Sequence, residues 1–376
     1  MRRGYTLVEI LISVSLSLFL LLGVTRLFQS VGTSITDAQG TLIMTRNLDW
    51  VATTLRNDLD NLTVDVNKPS KLANASNPPS DSDGYFQIIE GNQTFSDPTV
   101  GDVDDILMFT ARAPADTQFR GLIGGVGNVR ESPFAEIIWF VRGNTLYRRV
   151  LLILDNNTPL PTTVSAGFYR SNDISVHLDG TNLVPNTLPD LAQRENRFGH
   201  TSSGTFPFPP YGTATSSWDD LRMPTLAECS DPTWPAGGPL TTVTVSRPSS
   251  WDLWENPNLI GLLPTGAISA YPNGNRVGED IILTNVISFD VKVWHPCANG
   301  NAGGYVDIGD GSCATPGCFG TIGRQTDIPR VYDTWSSTYA QPAPYEAPLR
   351  GIEVTIRCFD PRSKNIKQIR IVKDFN

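Results

Sequence analysis

The chain opens with an apolar run that is almost free of charge. Between residues 5 and 24 the one ionisable acidic or basic side chain is that of Glu9. About 20 residues span roughly 30 Å as a helix, which matches the hydrocarbon core of a bilayer. The pattern predicts a membrane-spanning helix over residues 5–28.

The helical pattern continues beyond this run. The apolar positions that recur there at three- and four-residue steps are Leu48, Val51, Leu55, Leu59 and Leu62. This spacing predicts an amphipathic stalk helix over residues 29–66 that packs one face against a sheet. Because no proline occurs before Pro69, we expect one helix from about residue 6 to residue 62. The glycines at 23, 32 and 40 are its weak points.

The rest of the chain alternates short apolar runs with turn residues, a pattern typical of β-strands. The predicted strands are 85–89, 106–110, 136–141, 145–153, 281–287, 288–294, 351–359 and 365–372. The polar, proline-rich residues 67–84 predict a loop, and turns at 142–144 and 360–364 predict two antiparallel hairpins. The fold class is therefore α+β, with a long N-terminal helix packed on an antiparallel β-sheet head over 67–376.

Two stretches interrupt the head. Residues 155–280 and 296–348 are rich in Pro, Gly, Ser, Thr and Asn and hold few long apolar runs. The chain as a whole contains 32 Gly and 28 Pro. We predict large loop insertions at these two places, on the surface of the head.

Charge indicates the orientation in the membrane. Arg2 and Arg3 precede the apolar run, which predicts a cytoplasmic N-terminus and a head outside the cytoplasm. No small-residue cleavage site follows Leu22, so we expect the run to be retained. The formal net charge of -9 argues against a nucleic-acid-binding surface.

Five cysteines in an exported chain favour at least one disulfide. Those that share one glycine-rich loop are Cys297, Cys313 and Cys318, and the sequence leaves their connectivity open. A zinc site built from these three thiols and His295 is an alternative, although the paired CxxC spacing is lacking. Cys229 lies in the first insertion, and Cys358, within a predicted strand, fits a small buried apolar position.

Two further groups of residues allow either a binding role or a structural one. Asp307 and Asp310 offer carboxylates in a glycine-rich turn, which suits either calcium or a solvated turn. Trp251 and Trp254 lie three residues apart in the first insertion, where they would stack on a sugar or partner surface or anchor the loop. The histidines are scattered and no catalytic motif occurs, so we predict no enzymatic activity and no required cofactor.

Glu9 is the unusual residue of the span, because an ionisable group there costs at least ~2.5 kcal/mol and calls for a cationic partner. Residues 4–11, GYTLVEIL, resemble the N-terminal signal of type IV prepilins and type II secretion pseudopilins. The resemblance implies that a prepilin peptidase removes residues 1–4 by cutting after Gly4. It also implies methylation of Tyr5, where phenylalanine is commoner. Glu9 would then pair with the N-terminal ammonium of a neighbouring subunit.

The head strands carry a second resemblance. The segments DDILMFTAR, IIWFVRGNTLYRRV, LTNVISFDVKVW and RGIEVTIRCFDPRSKNIKQIRIV are similar, in order, to those of J-type minor pseudopilins and PilW-type minor pilins. This likeness covers about residues 4–155 and 280–374. It implies a minor pilin or pseudopilin subunit near the tip or in the priming complex of a type II secretion pseudopilus or type IV pilus.

That family implies a location and partners. The chain would be a single-pass protein of the bacterial inner membrane, with its head in the periplasm or on an extracellular filament. Its partners would be other pilins or pseudopilins, the prepilin peptidase and the inner-membrane assembly platform. Three alternatives stay open: a tip adhesin or substrate-recognition subunit acting through the insertions, an ordinary signal-anchored membrane protein, and an anchored extracytoplasmic enzyme.

Overall fold

The structure of the protein is a computed structural model. It describes residues 6–66, 83–89, 105–124, 128–142, 145–155, 158–160, 172–179, 182–192, 196–198, 280–296, 298, 302–307, 331–334, 349–361, 363 and 365–375.

One helix, α1, runs without a break over Leu7–Asp60. Its 54 residues make it about 80 Å long. Thr6 caps the N-terminus. At the C-terminus, the Asn61 N–H donates to the carbonyl of Asp58 at 3.3 Å. The glycines at 23, 32 and 40 do not interrupt it. Gly40 instead allows Asp360 to lie close to the helix backbone, because a Cβ at position 40 would collide with the Asp360 carboxylate.

Fourteen strands and a second helix, α2 (Leu188–Ala192), occur in the described residues. The strands are β1 (Phe86–Ile89), β2 (Ile106–Arg112), β3 (Phe119–Leu122), β4 (Val129–Ser132), β5 (Phe134–Arg142), β6 (Thr145–Leu152), β7 (Val176–Asp179), β8 (Asn182–Pro185), β9 (Ile281–Thr284), β10 (Val286–His295), β11 (Gly304–Val306), β12 (Val331–Asp333), β13 (Gly351–Phe359) and β14 (Ile366–Asp374).

Every pairing between these strands is antiparallel, which confirms an α+β chain with one long N-terminal helix and antiparallel sheets. A six-stranded sheet has the order β12-β1-β2-β5-β6-β9, and a four-stranded sheet has the order β11-β10-β13-β14. Two short hairpins, β3-β4 and β7-β8, stand apart from these sheets. Both predicted hairpins are confirmed, with Arg142 opposite Thr145 and Phe359 opposite Ile366.

The two larger sheets are joined where β9 passes into β10. Asn285 separates these strands and adopts a φ of +58°, a left-handed conformation that Asn tolerates better than most residues. Thr284 pairs with Thr145 in one sheet, and Val286 pairs with Cys358 in the other. The predicted boundary between residues 287 and 288 is therefore wrong by about three positions, because this single residue sets the break.

The six-stranded sheet is covered on both faces. One face, called the helix face here, packs against α1 and Phe375 and bears Phe86, Ile137, Trp139 and Arg148. The ring centroid of Phe375 lies 5.8 Å from that of Phe86. Its far face bears Tyr85, Gln87, Glu136, Ile138 and Arg149 and meets residues 172–198. The two sets alternate along the strands because successive side chains point to opposite faces.

The prediction that 155–280 and 296–348 are surface insertions needs correction. Within the first stretch, the described residues between 172 and 198 form β7, β8 and α2 and place Ile174, Leu191 and Phe198 in the core. Within the second, β11 and β12 extend the edges of the two sheets. These strands have only three or four residues and no run of three apolar side chains, which is why the sequence did not reveal them.

Candidate functional site

The predicted N-terminal signal is described from Thr6 onward, so Gly4 and Tyr5 lie outside the described residues. Glu9 is in the first turn of α1, and its Oε2 accepts hydrogen bonds from the backbone N–H and the hydroxyl of Thr6, both at 2.9 Å. The Glu9 N–H donates to the Thr6 hydroxyl at 3.3 Å. Together these contacts form a capping box that starts the helix.

In the apolar half of α1, serine and threonine hydroxyls donate hydrogen bonds to the backbone of the same helix. The hydroxyls that donate to the carbonyl four residues earlier belong to Ser13, Ser15, Ser17 and Thr25. Such back-bonding leaves few polar atoms in need of water. Among the described residues, α1 is a helix long and apolar enough to cross a membrane.

A second set of apolar side chains on α1 has no cover within the described head. This outer stripe consists of Phe28, Val31, Ile35, Leu42, Ile43 and Trp50. Leu42, Ile43 and Trp50 are 70%, 60% and 57% exposed. At 3.6 residues per turn the stripe is centred roughly 180° from the buried Leu48, Val51, Leu55 and Leu59. The face of the stalk opposite the head thus exposes apolar side chains, with Arg46 among them.

A bilayer that covers the apolar run from Leu7 onward is too thin to reach the end of the outer stripe as well. From Leu7 to Trp50 the helix is about 65 Å long, roughly twice the 30 Å hydrocarbon core. Trp50 also immediately precedes Val51, which is fully buried against the head. The end of the stripe therefore lies beside the head, more than one bilayer thickness away from the N-terminus of α1.

The last turn of α1 is bonded to the helix face of the six-stranded sheet. The Asp58 carboxylate accepts from Nε and Nη2 of Arg148, both at 2.7 Å, and from Trp139 Nε1 at 3.0 Å. Asp58 is 6% exposed and Arg148 21% exposed. A buried carboxylate with three donors is well satisfied. It fixes the direction in which the stalk leaves the head.

A second ion pair joins the same turn to the other sheet. Lys373 Nζ of β14 donates to Asp60 Oδ1 at 2.7 Å. At the opposite end of β14, the turn bearing Asp360 touches Gly40. Residues 40–60 of α1 therefore run alongside β14, parallel to it.

The far face holds a buried polar network that the sequence did not reveal. Glu136 accepts from the Tyr85 hydroxyl at 2.6 Å, the Ser175 hydroxyl at 2.5 Å and the Phe198 N–H at 3.0 Å. Burial raises the pKa of Glu136, while these hydrogen bonds and the charge of Arg197 oppose the rise. The network holds residues 172–198 on the sheet.

A buried arginine lies next to this network. Arg149 Nη1 bonds Asp280 Oδ2 at 2.7 Å, and its Nη2 lies 3.2 Å from Asp173 Oδ1. Asp173 in turn accepts from the Leu122 N–H at 2.8 Å. The sequence did not predict these pairs, because their charged residues are isolated and lie far apart along the chain.

The predicted calcium ligands are only partly described. The Asp307 carboxylate contacts the ammonium of Lys292, which also lies 3.2 Å from Asp290. Burial lowers the pKa of Lys292, but the hydrogen bonds and charges of the two aspartates outweigh it and raise the pKa overall. Asp310 lies outside the described residues, and within them no group of three or more His, Cys, Asp or Glu side chains gathers around a common point.

Most of the other predicted positions are also outside the described part of the chain. These are Cys229, Cys297, Cys313, Cys318, Trp251 and Trp254, so the disulfide, zinc and partner-binding hypotheses stay predictions. His295 is buried at the end of β10. Cys358 is a buried free thiol of the core, as its strand position predicted, and burial raises its pKa to about 12.

Comparisons of the chain with protein-family models, with curated proteins and with solved structures found no match.

Proposed function

We propose that the chain is a filament subunit of the minor pilin or minor pseudopilin type. In this proposal residues 1–4 are a leader removed after Gly4, residues 5–28 anchor the subunit in the inner membrane, and residues 29–66 form the stalk. The head, residues 67–376, lies outside the cytoplasm. The subunit enters a type II secretion pseudopilus or type IV pilus, where Tyr5 carries the processed N-terminus and Glu9 receives the ammonium of a neighbour.

The observation that carries the proposal is the outer stripe of α1. Its apolar side chains extend from the membrane-spanning half to Trp50, opposite the face that packs on the head. The exposed apolar side chains on this second face favour a cover of their own. The head supplies one, and α1 helices of neighbouring subunits supply the other in a filament, since apolar burial favours their association.

Photo-cross-linking tests this assignment. A photoreactive phenylalanine analogue at position 50, in the stripe, is compared in membranes with the same analogue at position 45. Thr45 is exposed but lies outside the stripe. We expect cross-links to other pilin-type subunits from position 50 and few from position 45. Equal yields at both positions would contradict the assignment of the stripe.

The processing signal has its own test. Intact mass and N-terminal sequencing of the protein from membranes should give a methylated Tyr5 start. Gly4→Ala should abolish this start, whereas Glu9→Ala should be processed and then assemble poorly. A wild-type protein that retains Met1 would refute the filament function.

A further inference from the structure

The strand β14 forms a long open edge of the four-stranded sheet. The order of that sheet is β11-β10-β13-β14, so within the described residues β14 pairs with a strand on one side only. It is nine residues long, whereas the other edge strands of the two larger sheets, β9, β11 and β12, have four, three and three residues. Very short edge strands limit pairing with other chains, and β14 lacks this protection.

The register shows which backbone groups of β14 face outward. The Phe375 N–H donates to the carbonyl of Arg350 at 2.9 Å, and at the other end of the hairpin the Asp360 N–H donates to the carbonyl of Asn365 at 2.9 Å. Because hydrogen-bonded pairs alternate along an antiparallel ladder, the odd-numbered residues of β14 bond to β13. The even-numbered residues point their N–H and C=O groups away from β13. Among the described residues these outward groups form no hydrogen bond.

The stalk lies against a face of β14 and leaves its edge open. Lys373 donates to Asp60 of α1 and Ile371 is buried, so the odd-numbered side chains face the helix. The even-numbered side chains stand on the opposite face, where Arg370 is 56% exposed and Val372 is 46% exposed. These exposures leave room for another chain beside the strand.

Strand pairing is the interaction that such an edge supports. The outward N–H and C=O groups of β14 recur at every second residue, and another extended segment presents matching groups at the same spacing. A peptide that adds a strand to an exposed sheet edge gains affinity from main-chain hydrogen bonds and specificity from its side chains. The side chains of β14 therefore decide which segment fits.

The charges of β14 favour an acidic partner over a second copy of the same strand. Lys367, Arg370 and Lys373 recur along it, and Asp374 is its one acidic residue. Lys367 is exposed and has no ion pair among the described residues. Two copies of β14 paired antiparallel along their full length would place Arg370 opposite Arg370 and Lys367 opposite Lys373. Like charges directly opposite each other destabilise a strand pair.

We propose that β14 binds an extended acidic segment of another protein, which becomes a fifth strand of the four-stranded sheet. The outward backbone groups hold the segment, while Lys367 on one face and Arg370 on the other attract its carboxylates. Arg370 already pairs with Glu353 and keeps more than half of its side chain exposed. The site belongs to the head alone, so it does not depend on the filament function.

Peptide binding to the full-length chain in detergent tests the proposal. The probe is a fluorescently labelled synthetic peptide as long as β14, in which glutamate alternates with valine and threonine. Fluorescence anisotropy is followed in low-salt buffer, where exposed charges are least screened. We expect saturable binding that weakens at least tenfold when lysine replaces every glutamate. We expect the same loss when the backbone nitrogens of the glutamate peptide are methylated, because they then donate no hydrogen bond.

Two proline variants of the chain form a matched pair. The N–H of position 372 faces outward, so Val372→Pro removes no bond of the sheet and should weaken binding of the glutamate peptide at least tenfold at an unchanged midpoint of thermal unfolding. The N–H of position 371 bonds to β13, so Ile371→Pro should lower that midpoint. Lys367→Glu changes an exposed side chain, keeps the fold and should weaken binding about fivefold.

The outcomes separate the edge, its charge preference and the filament function. An absence of saturable binding, equal binding of the methylated peptide, or unchanged affinity in both Val372→Pro and Lys367→Glu would overturn the proposed edge site. A lysine peptide that binds as tightly as the glutamate peptide would overturn the acidic partner. A wild type that binds the glutamate peptide but gives no cross-links from position 50 would keep this site and lose the filament function.

Discussion

Arg148 and Asp58 form a bidentate ion pair that attaches the end of the long helix to the six-stranded sheet. Nε and Nη2 of the arginine each lie 2.7 Å from a different oxygen of the carboxylate. The Trp139 indole completes the set at 3.0 Å. Two turns earlier on the same helix, Trp50 faces solvent. The pair therefore also determines which face of α1 remains open.

The Asp58 pair should contribute more to stability than its neighbour in the same turn. Asp58→Asn keeps the shape but leaves Arg148 without its counter-charge, so we expect a loss of about 3 kcal/mol in the free energy of unfolding. Asp60→Asn removes the ion pair of an exposed carboxylate and should cost less than about 1 kcal/mol. Urea unfolding of both full-length variants in detergent gives the comparison. Equal losses would mean that Asp58 has no special role in docking the stalk.

The two apolar faces of α1 should respond differently to truncation. Trp50→Ala should leave the free energy of unfolding within about 0.5 kcal/mol of the wild type, since the side chain is exposed. It should nevertheless reduce co-purification of differently tagged copies or partner subunits from membranes. Leu48→Ala removes a buried side chain and should cost about 2–5 kcal/mol. Unimpaired co-purification of the Trp50 variant would argue against the outer stripe as an assembly surface.

Glu136 should make stability depend on pH. Its pKa is raised in the folded head, so the folded state holds this proton more tightly than the unfolded chain. The contribution is fully present below the unfolded pKa of about 4.3 and is lost as pH rises through the higher folded value. Relative to Glu136→Gln, the wild type should therefore lose stability between about pH 4 and neutral pH. Urea unfolding of both proteins over this range measures the difference, and parallel profiles would contradict the prediction.

Cys358 should be chemically inert in the folded protein. Burial holds its pKa at about 12, so almost no thiolate is present at pH 8. Iodoacetamide should leave the peptide containing Cys358 unlabelled in the native protein and label it fully in urea. Mass spectrometry of the digested protein follows this one thiol separately from the other four. Rapid native labelling at pH 8 would show that β13 opens readily.

The sequence determined the elements whose signal is local. The stripe of Leu48, Val51, Leu55 and Leu59 predicted a buried helix face, and all four side chains are buried. A period of 3.6 or 2 also marked the longer strands, because such periodicity needs only neighbouring residues. The short strands β7, β8, β11 and β12, and the break at Asn285, carry no such local signal.

Only the tertiary structure decided which distant polar residues meet. Arg148 is 90 residues from Asp58 in sequence, and Arg149 is 131 residues from Asp280. Nothing in the local sequence distinguishes these charges from solvated ones, because the sheet register selects the partners. The register also places adjacent arginines on opposite faces, so that Arg148 holds the stalk and Arg149 holds Asp280. The apolar positions of α1 are visible in the sequence, but packing of the head on one side of the helix decided which of them remain exposed.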